Sequence, residues 1–348
     1  MYRVLIYWEG FPVCGLLTSE LFKNPCFDVD LYVTNPSVPF GRFFENFGVI
    51  PKTDIPSNPE NLNLEKYDLV LITGWNSPFW LKVCSLAKTK YNILTCLVSD
   101  NNWTGSIRQV LGLLYFRWSL RKYFDFAFCP GASAGKFLRY LGMPAEKILL
   151  GNYGAFSEIY FPPPLALKRE NKFIFVGQFI ERKGISCLVN AFLKYRLSGG
   201  SWNLELIGSG DLSGLVDFSQ KGLGITVSSF LQPVEVAEKL RSTKVLILPS
   251  LSEHWGTVVC EAAACGCSLL LSSAVGSIDD MLMPGVNGMV FKTNDVTSLS
   301  KQMMAMQNLT ESWHEQASKT SISLASCRNE YSYQNSIRYM ISYAGTST

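Results

Sequence analysis

The sequence has 348 residues, of which 47% are hydrophobic and only 17% are charged. This length predicts two domains with separate cores, and the composition excludes a small stapled module or a disordered chain. The net charge of +3 is too small to indicate a nucleic-acid partner. No stretch of about 20 apolar residues predicts a membrane span. The N-terminus runs into acidic Glu9 without a cleavage site, so we expect a cytoplasmic chain.

Short apolar runs alternate with helix-length segments, a pattern typical of βαβ units around a parallel sheet. In the first half the predicted strands are residues 3–7, 29–33, 69–72, 93–98 and 126–129. In the second half they are residues 173–176, 204–207, 225–228, 245–248, 268–271 and 289–291. We therefore predict an α/β protein with two Rossmann-like, doubly wound domains that face each other across a ligand-binding cleft.

A turn-rich segment at residues 151–164, ending in three prolines, separates the two sets of strands. The predicted domains are residues 1–160 and 165–325. A terminal helix at about 328–345 is expected to pack back on the first domain.

Two patterns in the first half resemble known sites. Asp28-Val-Asp30 has the form of a metal-binding pair, but its place at a strand entry favours turn and edge residues. Gly131-Ala-Ser-Ala-Gly has the context of a hydrolase nucleophile elbow with Ser133 as nucleophile. The only histidines are His254 and His314, which disfavours that alternative.

Residues 82–147 contain ten Lys and Arg against three acidic residues. Within this region, residues 107–120 place apolar side chains at helical spacing beside four cations, namely Arg108, Arg117, Arg121 and Lys122. One interpretation is a core-packing helix with a solvated charged face. The other is a basic amphipathic helix lying on an anionic membrane surface.

Two strand-to-helix junctions in the second half predict an anion site. Arg182 and Lys183 end the loop after the strand at 173–176, where two cations can neutralise a diphosphate. Glu253 lies on the loop after the strand at 245–248, and Glu261 lies about one turn into the following helix. The first N–H groups of that helix favour an anion, and the carboxylates can accept from sugar hydroxyls. A nucleotide sugar fits this pattern; the alternative is a helix cap at Glu253, a solvated Glu261 and a solvated basic loop.

Five motifs over about residues 125–310 carry a family resemblance. They are Val176-Gly-Gln-Phe-Ile-Glu-Arg-Lys-Gly, Leu206-Ile-Gly-Ser-Gly-Asp, the pair Glu253 and Glu261 with seven residues between, Glu261-Ala-Ala-Ala-Cys-Gly, and Asn287-Gly-Met-Val-Phe. The sequence resembles the retaining, nucleotide-sugar-dependent glycosyltransferases of family four, which belong to the glycosyl transferases group 1 and have the GT-B fold.

The resemblance implies that Glu261 holds the nucleotide ribose, Glu253 the donor sugar and Lys183 the diphosphate. It also assigns to the donor site Gly208 and the loop backbone at Trp255, Gly256, Thr257 and Val258. Gln178 stands where many members have an arginine that binds phosphate. In this chain we expect Arg182 to bind the phosphate instead. In the first half only Gly15 matches the usual glycine-rich loop. Asp100 or Ser99 replaces the usual histidine, although Asp100 has a second interpretation as the cap of a helix beginning near Gly105.

The resemblance predicts a metal-independent enzyme, without a cofactor, that transfers a hexose from a nucleotide sugar to a hydroxyl acceptor. The expected acceptor is a glycan, a lipid-linked glycan or another hydroxyl compound in glycan or surface polysaccharide biosynthesis. Under the membrane interpretation of the basic region at 82–147, the chain is peripheral on a membrane. The expected catalytic residues are Glu253, Lys183, Arg182 and Asp100. A non-catalytic nucleotide-sugar-binding protein on the same scaffold is the main alternative, and a serine hydrolase is a further one.

Overall fold

The computed structural model describes residues 1–10, 21–35, 48–151, 153–164, 167–215, 223–329 and 333–345. Contacts divide the chain into a first unit, Met1–Tyr153 with Glu330–Thr348, and a second unit, Gly154–Asn329. The division falls a few residues before the predicted domain limits at 160 and 165. Among the described residues, no helix combines the length and apolarity that crossing a bilayer requires.

The first unit contains a six-stranded parallel sheet. Its strands are β1 Tyr2–Gly10, β2 Phe27–Asn35, β3 Leu69–Thr73, β4 Leu94–Val98, β5 Phe126–Pro130 and β6 Ile148–Gly151, in the order β2-β1-β3-β4-β5-β6. Residues of β3 and β5 are almost all buried, which explains their continuous apolar sequences. β6 was not predicted, because its four residues run directly into the turn-rich segment.

Three helices of the first unit connect these strands. They are α1 Pro78–Tyr91, α2 Ile107–Tyr115 and α3 Gly131–Tyr140. Ser106 caps α2 by accepting a hydrogen bond from the Gln109 backbone N–H. A π-helical turn, Phe116–Leu120, and a 3-10 turn, Arg121–Tyr123, continue α2 toward β5.

The second unit contains another six-stranded parallel sheet. Its strands are β7 Glu170–Val176, β8 Asn203–Ile207, β9 Ile225–Ser228, β10 Thr243–Leu248, β11 Ser268–Ser272 and β12 Gly288–Phe291, in the order β12-β11-β10-β7-β8-β9. The direction of chain progression reverses between β7 and β10. In doubly wound sheets, ligands bind beyond the carboxyl ends of the two strands at this reversal.

The remaining helices are α4 Ile185–Leu197, α5 Pro233–Ser242, α6 Thr257–Ala264, α7 Ile278–Met281, α8 Val296–Gln307, α9 Glu311–Asn329 and α10 Tyr333–Gly345. α10 packs on β4 and β6 of the first unit, where Tyr343 meets the Phe126 ring edge-on at 5.7 Å. All predicted strands are present, so the predicted α/β, doubly wound architecture of both units is confirmed.

Gly151, the last residue of β6, lies against the ring of Phe128. A Cβ at Gly151 would stand 1.9 Å from that ring, so we expect Gly151→Ala to lower the free energy of unfolding by about 2 kcal/mol. Gly112→Ala is the matched control, because Gly112 lies inside α2 with nothing within 4 Å of its Cβ position. The control should be neutral or stabilising by up to about 1 kcal/mol. Urea unfolding measures both, and an unchanged midpoint for Gly151→Ala would contradict the close contact.

Candidate active site

The two predicted anion-binding segments of the second unit meet at the reversal of its sheet. β7 and β10 are neighbours, and the loops after them are joined by a hydrogen bond of 2.8 Å from the Leu251 N–H to the Arg182 carbonyl. This bond holds the basic loop that ends in Lys183 beside the acidic loop that carries Glu253. The structure therefore brings together residues that are 70 positions apart in the sequence.

Glu253 is the centre of this contact. Its Oε2 accepts from Lys183 Nζ at 2.5 Å and from Ser250 Oγ at 2.9 Å, and its Oε1 lies 3.4 Å from Arg182 Nη1. The side chain of Glu253 is 9% exposed, whereas that of Arg182 is 48% exposed. The sequence predicted these groups as separate ligand contacts, and the structure shows that they also bind each other.

The environment of Glu253 favours its charged form. Burial by itself raises the pKa of a carboxyl group, but attraction to Lys183, the hydrogen bond from Lys183, and the contributions of Arg182 and Ser250 outweigh it. The pKa of Glu253 therefore lies below its usual value. At neutral pH the site holds a carboxylate between two cations.

The loop after β11 fixes the backbone of Glu253. The Glu253 N–H donates to the Ala274 carbonyl at 3.2 Å, and the Glu253 carbonyl accepts from the Gly276 N–H at 2.9 Å. Ser272 Oγ donates to the Ser250 carbonyl at 2.5 Å. Ser250 and Ser272 were not predicted as site residues, although Ser250 lies on the same short loop as Glu253.

The start of α6 is formed by Gly256, whose φ of +85° lies in the left-handed region that favours glycine. Among the described residues no side chain caps this helix, so the interpretation of Glu253 as its cap is wrong. Thr257 and Val258 are half-buried in the first turn, where backbone N–H groups lack acceptors within the helix. Trp255 is buried, and its indole N–H has no acceptor in the described part of the chain.

Glu261 lies in α6 beside Tyr160, whose hydroxyl donates to the Glu261 carboxyl group. Loss of hydration raises the pKa of Glu261 to about 7, despite the hydrogen bond from Tyr160. Glu261 is half-buried and has Tyr160 as a partner, so it is not the fully solvated helix residue of the alternative interpretation. Tyr160 was missed because it lies in the turn-rich segment, which Arg241 holds by donating to the Ile159 carbonyl at 3.0 Å.

Two predicted residues of the loops after β7 and β8 have different surroundings. Gln178 is exposed at the carboxyl end of β7. Gly208 has a φ of +147°, and a Cβ there would stand 1.9 Å from the Gly177 carbonyl oxygen. Gly208 thus allows the two loops to approach each other, and the Phe179 N–H donates to the Ser209 carbonyl at 2.9 Å.

The sequence analysis also predicted two site residues in the first unit, Gly15 and Asp100. Gly15 lies outside the described residues. Asp100 follows β4 and is half-buried near Tyr153, whose pKa is raised mainly by burial and also by the charge of Asp100. The alternative role of Asp100 as a helix cap is wrong, because α2 begins at Ile107 and Ser106 caps it.

The structure gives no support to the two other predicted patterns. Asp30 accepts from Lys52 Nζ at 2.5 Å and from Lys66 Nζ at 2.9 Å, so it serves an ion-pair cluster at the edge of the first sheet. Ser133 is half-buried in the first turn of α3. His314 is buried with Nε2 3.1 Å from the Met306 carbonyl, an environment typical of a core residue.

Each unit contains a doubly wound sheet, and in the second unit two cations and a carboxylate meet at the carboxyl edge of that sheet. Residues 157–320 match the family of glycosyl transferases group 1. The match covers most of the second unit and a little under half of the chain.

Curated relatives match over part of the chain. An uncharacterized glycosyltransferase of Methanocaldococcus jannaschii is 26% identical over 144 residues, covering 39% of this chain and 38% of that protein. A D-inositol 3-phosphate glycosyltransferase of an Arthrobacter species is 30% identical over 125 residues, covering 34% of this chain and 30% of that protein. The matched region thus spans between 30% and 38% of the length of these relatives.

Solved structures match over the whole chain. HepE of Anabaena in complex with UDP aligns with a TM-score of 0.77 and 14% identity, covering 100% of both chains. Sucrose-phosphate synthase of Thermosynechococcus elongatus aligns with a TM-score of 0.69 and 17% identity, covering 99% of this chain and 100% of that one. The fold class is therefore GT-B, as predicted.

The raised pKa of Glu261 predicts a pH-dependent stability. Because the folded-state pKa of about 7 exceeds the ordinary value of 4.5, the folded state binds more protons between these pH values, and stability falls as pH rises through them. Glu261→Gln removes this loss, so the variant should gain melting temperature relative to the wild type between pH 5 and pH 8. Glu315→Gln, at an exposed position on α9, is the control and should show no such gain. A melting-temperature difference between Glu261→Gln and wild type that is independent of pH would refute the assignment.

Proposed function

We propose that the chain is a retaining glycosyltransferase that transfers a sugar from a nucleotide-sugar donor to a hydroxyl acceptor. The observation that carries this proposal is the buried carboxylate of Glu253, held between Lys183 and Arg182 beyond the carboxyl ends of β7 and β10. The site combines groups that neutralise a diphosphate with a group that accepts from sugar hydroxyls. The match of residues 157–320 to the family of glycosyl transferases group 1 supports it, as do solved structures of HepE in complex with UDP and UDP-glucose.

The proposed donor contacts follow from charge and position. Two cations and one carboxylate leave the cluster with a net positive charge, which attracts the diphosphate. The first turn of α6 adds backbone N–H donors at Thr257 and Val258. Glu261 accepts hydrogen bonds from the ribose hydroxyls. Gly208 and the loop backbone from Trp255 to Val258 line the same site.

The reaction we propose proceeds on one face of the donor sugar. The bond from the anomeric carbon to the phosphate oxygen breaks, and the acceptor oxygen attacks from the side that the phosphate leaves. The acceptor proton passes to an oxygen of the departing diphosphate. Lys183 and Arg182 stabilise the charge that grows on this leaving group, without a metal ion or cofactor. Glu253 orients the sugar through its hydroxyl groups.

The Glu253 ion pair has a role in this scheme before the donor arrives. Lys183 and Glu253 hold each other at 2.5 Å, so neither side chain has to be ordered when the donor binds. Arg182 is half exposed and more loosely held, at 3.4 Å, which leaves its guanidinium available to the phosphate. We therefore assign Lys183 a fixed electrostatic role and Arg182 an adaptable one.

We propose that the first unit receives the acceptor, which is a glycan or lipid-linked glycan. Asp100, at the carboxyl end of β4, is the candidate for accepting a hydrogen bond from the acceptor hydroxyl. The second candidate function, a non-catalytic nucleotide-sugar-binding protein, uses the same donor contacts without transfer.

A thermal-shift screen of nucleotides and nucleotide sugars tests the donor site. A ligand at 100 times its dissociation constant adds about 2.7 kcal/mol to the free energy of unfolding of the protein that binds it. We expect a shift with at least one nucleoside diphosphate sugar and a smaller shift for Glu253→Gln. If none of these ligands raised the melting temperature, both the transferase and the binding protein would be rejected.

Turnover of Lys183→Ala separates an enzyme from a binding protein. With a donor from the screen, transfer or donor hydrolysis should fall on the order of 10²-fold, because stabilisation of the leaving group is lost. Lys301→Ala, at an exposed position on α8, is the matched control and should keep wild-type turnover. NMR of the anomeric proton in the product shows whether the transferred sugar keeps the anomeric configuration that it has in the donor. Donor binding without any turnover of the wild-type protein would favour the binding protein.

A further inference from the structure

The helix α2 and the π-helical turn after it expose a large apolar face. Ile107 is 80% exposed, Leu111 62% and Trp118 84%. The other exposed apolar residues of the segment are Val110, Leu114 and Tyr115. No residue of α2 itself is buried. A monomeric protein rarely exposes so many large apolar side chains together unless they bind something.

These side chains lie on one side of the segment. Ile107, Leu111, Leu114 and Trp118 recur at intervals of three and four residues, which places them along one helix face. One interpretation of the sequence was a helix that buries its apolar side in the core. That interpretation is wrong for this face, because the face is exposed.

A second set of apolar residues attaches the segment to the first unit. Phe116 and Leu120 are buried, and the Phe116 ring lies 5.0 Å from that of Trp75 and 5.9 Å from that of Phe124. Leu113 packs against the same core. These apolar residues attach the segment to the core of the first unit, so the exposed face is not needed for that attachment.

Cations flank the exposed apolar face. Arg108 and Arg117 follow helical positions on either side of it, and Arg121 and Lys122 come directly after the π-helical turn. Residues 101–124 contain no Asp or Glu. Within the described residues, no carboxylate forms an ion pair with Arg108 or Arg117. The surface therefore combines apolar area with positive charge, and no carboxylate in the described part of the first unit pairs with its two arginines.

We propose that this face docks on an anionic lipid surface. The helix would lie in the plane of the interface with its apolar side chains buried about 5 to 10 Å below the headgroups, while the arginines bind lipid phosphates. Trp118 and Tyr115 are the side-chain types enriched at membrane interfaces. An apolar protein partner would leave the cations without counter-charges, whereas an anionic membrane matches both properties of the surface. This surface goes beyond the proposed donor site and lies in the other unit.

Vesicle co-sedimentation of the full chain tests the proposal. We expect binding to vesicles of phosphatidylcholine with phosphatidylglycerol, and much weaker binding to phosphatidylcholine alone. The double variant Leu111→Ser with Trp118→Ser should lower the partition coefficient about 10-fold or more, because two inserted apolar side chains are lost. Leu197→Ser, on α4 of the second unit, is the matched control, because Leu197 is 90% exposed outside this surface.

Charge and self-association are tested separately. Arg108→Ala should weaken binding to anionic vesicles, and binding should decrease with added salt. Equal binding to neutral and anionic vesicles, or wild-type binding by the double variant, would overturn the proposal. A dimer in sedimentation analysis that the double variant abolishes, without vesicle binding by the wild type, would assign the face to a second copy instead. The nucleotide-sugar thermal shift of the double variant should equal that of wild type, which keeps this test independent of the donor site.

Discussion

The charged state of one buried side chain, Glu253, constrains the loops at the carboxyl edge of the second sheet. A buried carboxylate is costly unless cations and hydrogen-bond donors compensate it. Here Lys183 and Ser250 compensate Oε2 and Arg182 lies near Oε1, so the loops after β7 and β10 must stay together. The loop after β11 adds backbone hydrogen bonds on the other side. The need to neutralise one carboxylate thus aligns the groups that we assign to the donor.

Small residues make this alignment sterically possible. Gly184, which precedes α4, has a φ of +69°, and a Cβ there would stand 2.1 Å from the Pro249 carbonyl oxygen. Gly208 provides a similar close approach between the loops after β7 and β8. The family motifs therefore contain two kinds of residue. The charged ones are those that we assign to the donor, while these glycines bring the backbone segments close enough for the charged ones to meet.

Much of the fold was predictable because parallel strands buried on both faces leave continuous apolar runs in the sequence. β6 was missed since four residues beside a turn carry too little pattern. The segments that we assign to the donor follow from strand-to-helix junctions in the sequence, but the Lys183 to Glu253 contact spans 70 positions and depends on strand order. Tyr160 was hidden in the turn-rich segment. For residues 107–120 the amphipathic pattern is visible in the sequence, but periodicity does not say which side of the helix packs against the core. The side that carries Phe116 is buried in the structure.

The backbone bonds among the site loops also bear on how such a site changes during evolution. The loops after β7, β8, β10 and β11 form an almost continuous chain of main-chain hydrogen bonds through Ser209, Phe179, Arg182, Leu251, Glu253 and Gly276. Lengthening one loop would break its bonds to the next, and the disturbance would spread to the others. Preference among the donors that we propose should therefore change by substitution of exposed side chains, such as that of Gln178. The lengths of the loops should stay the same.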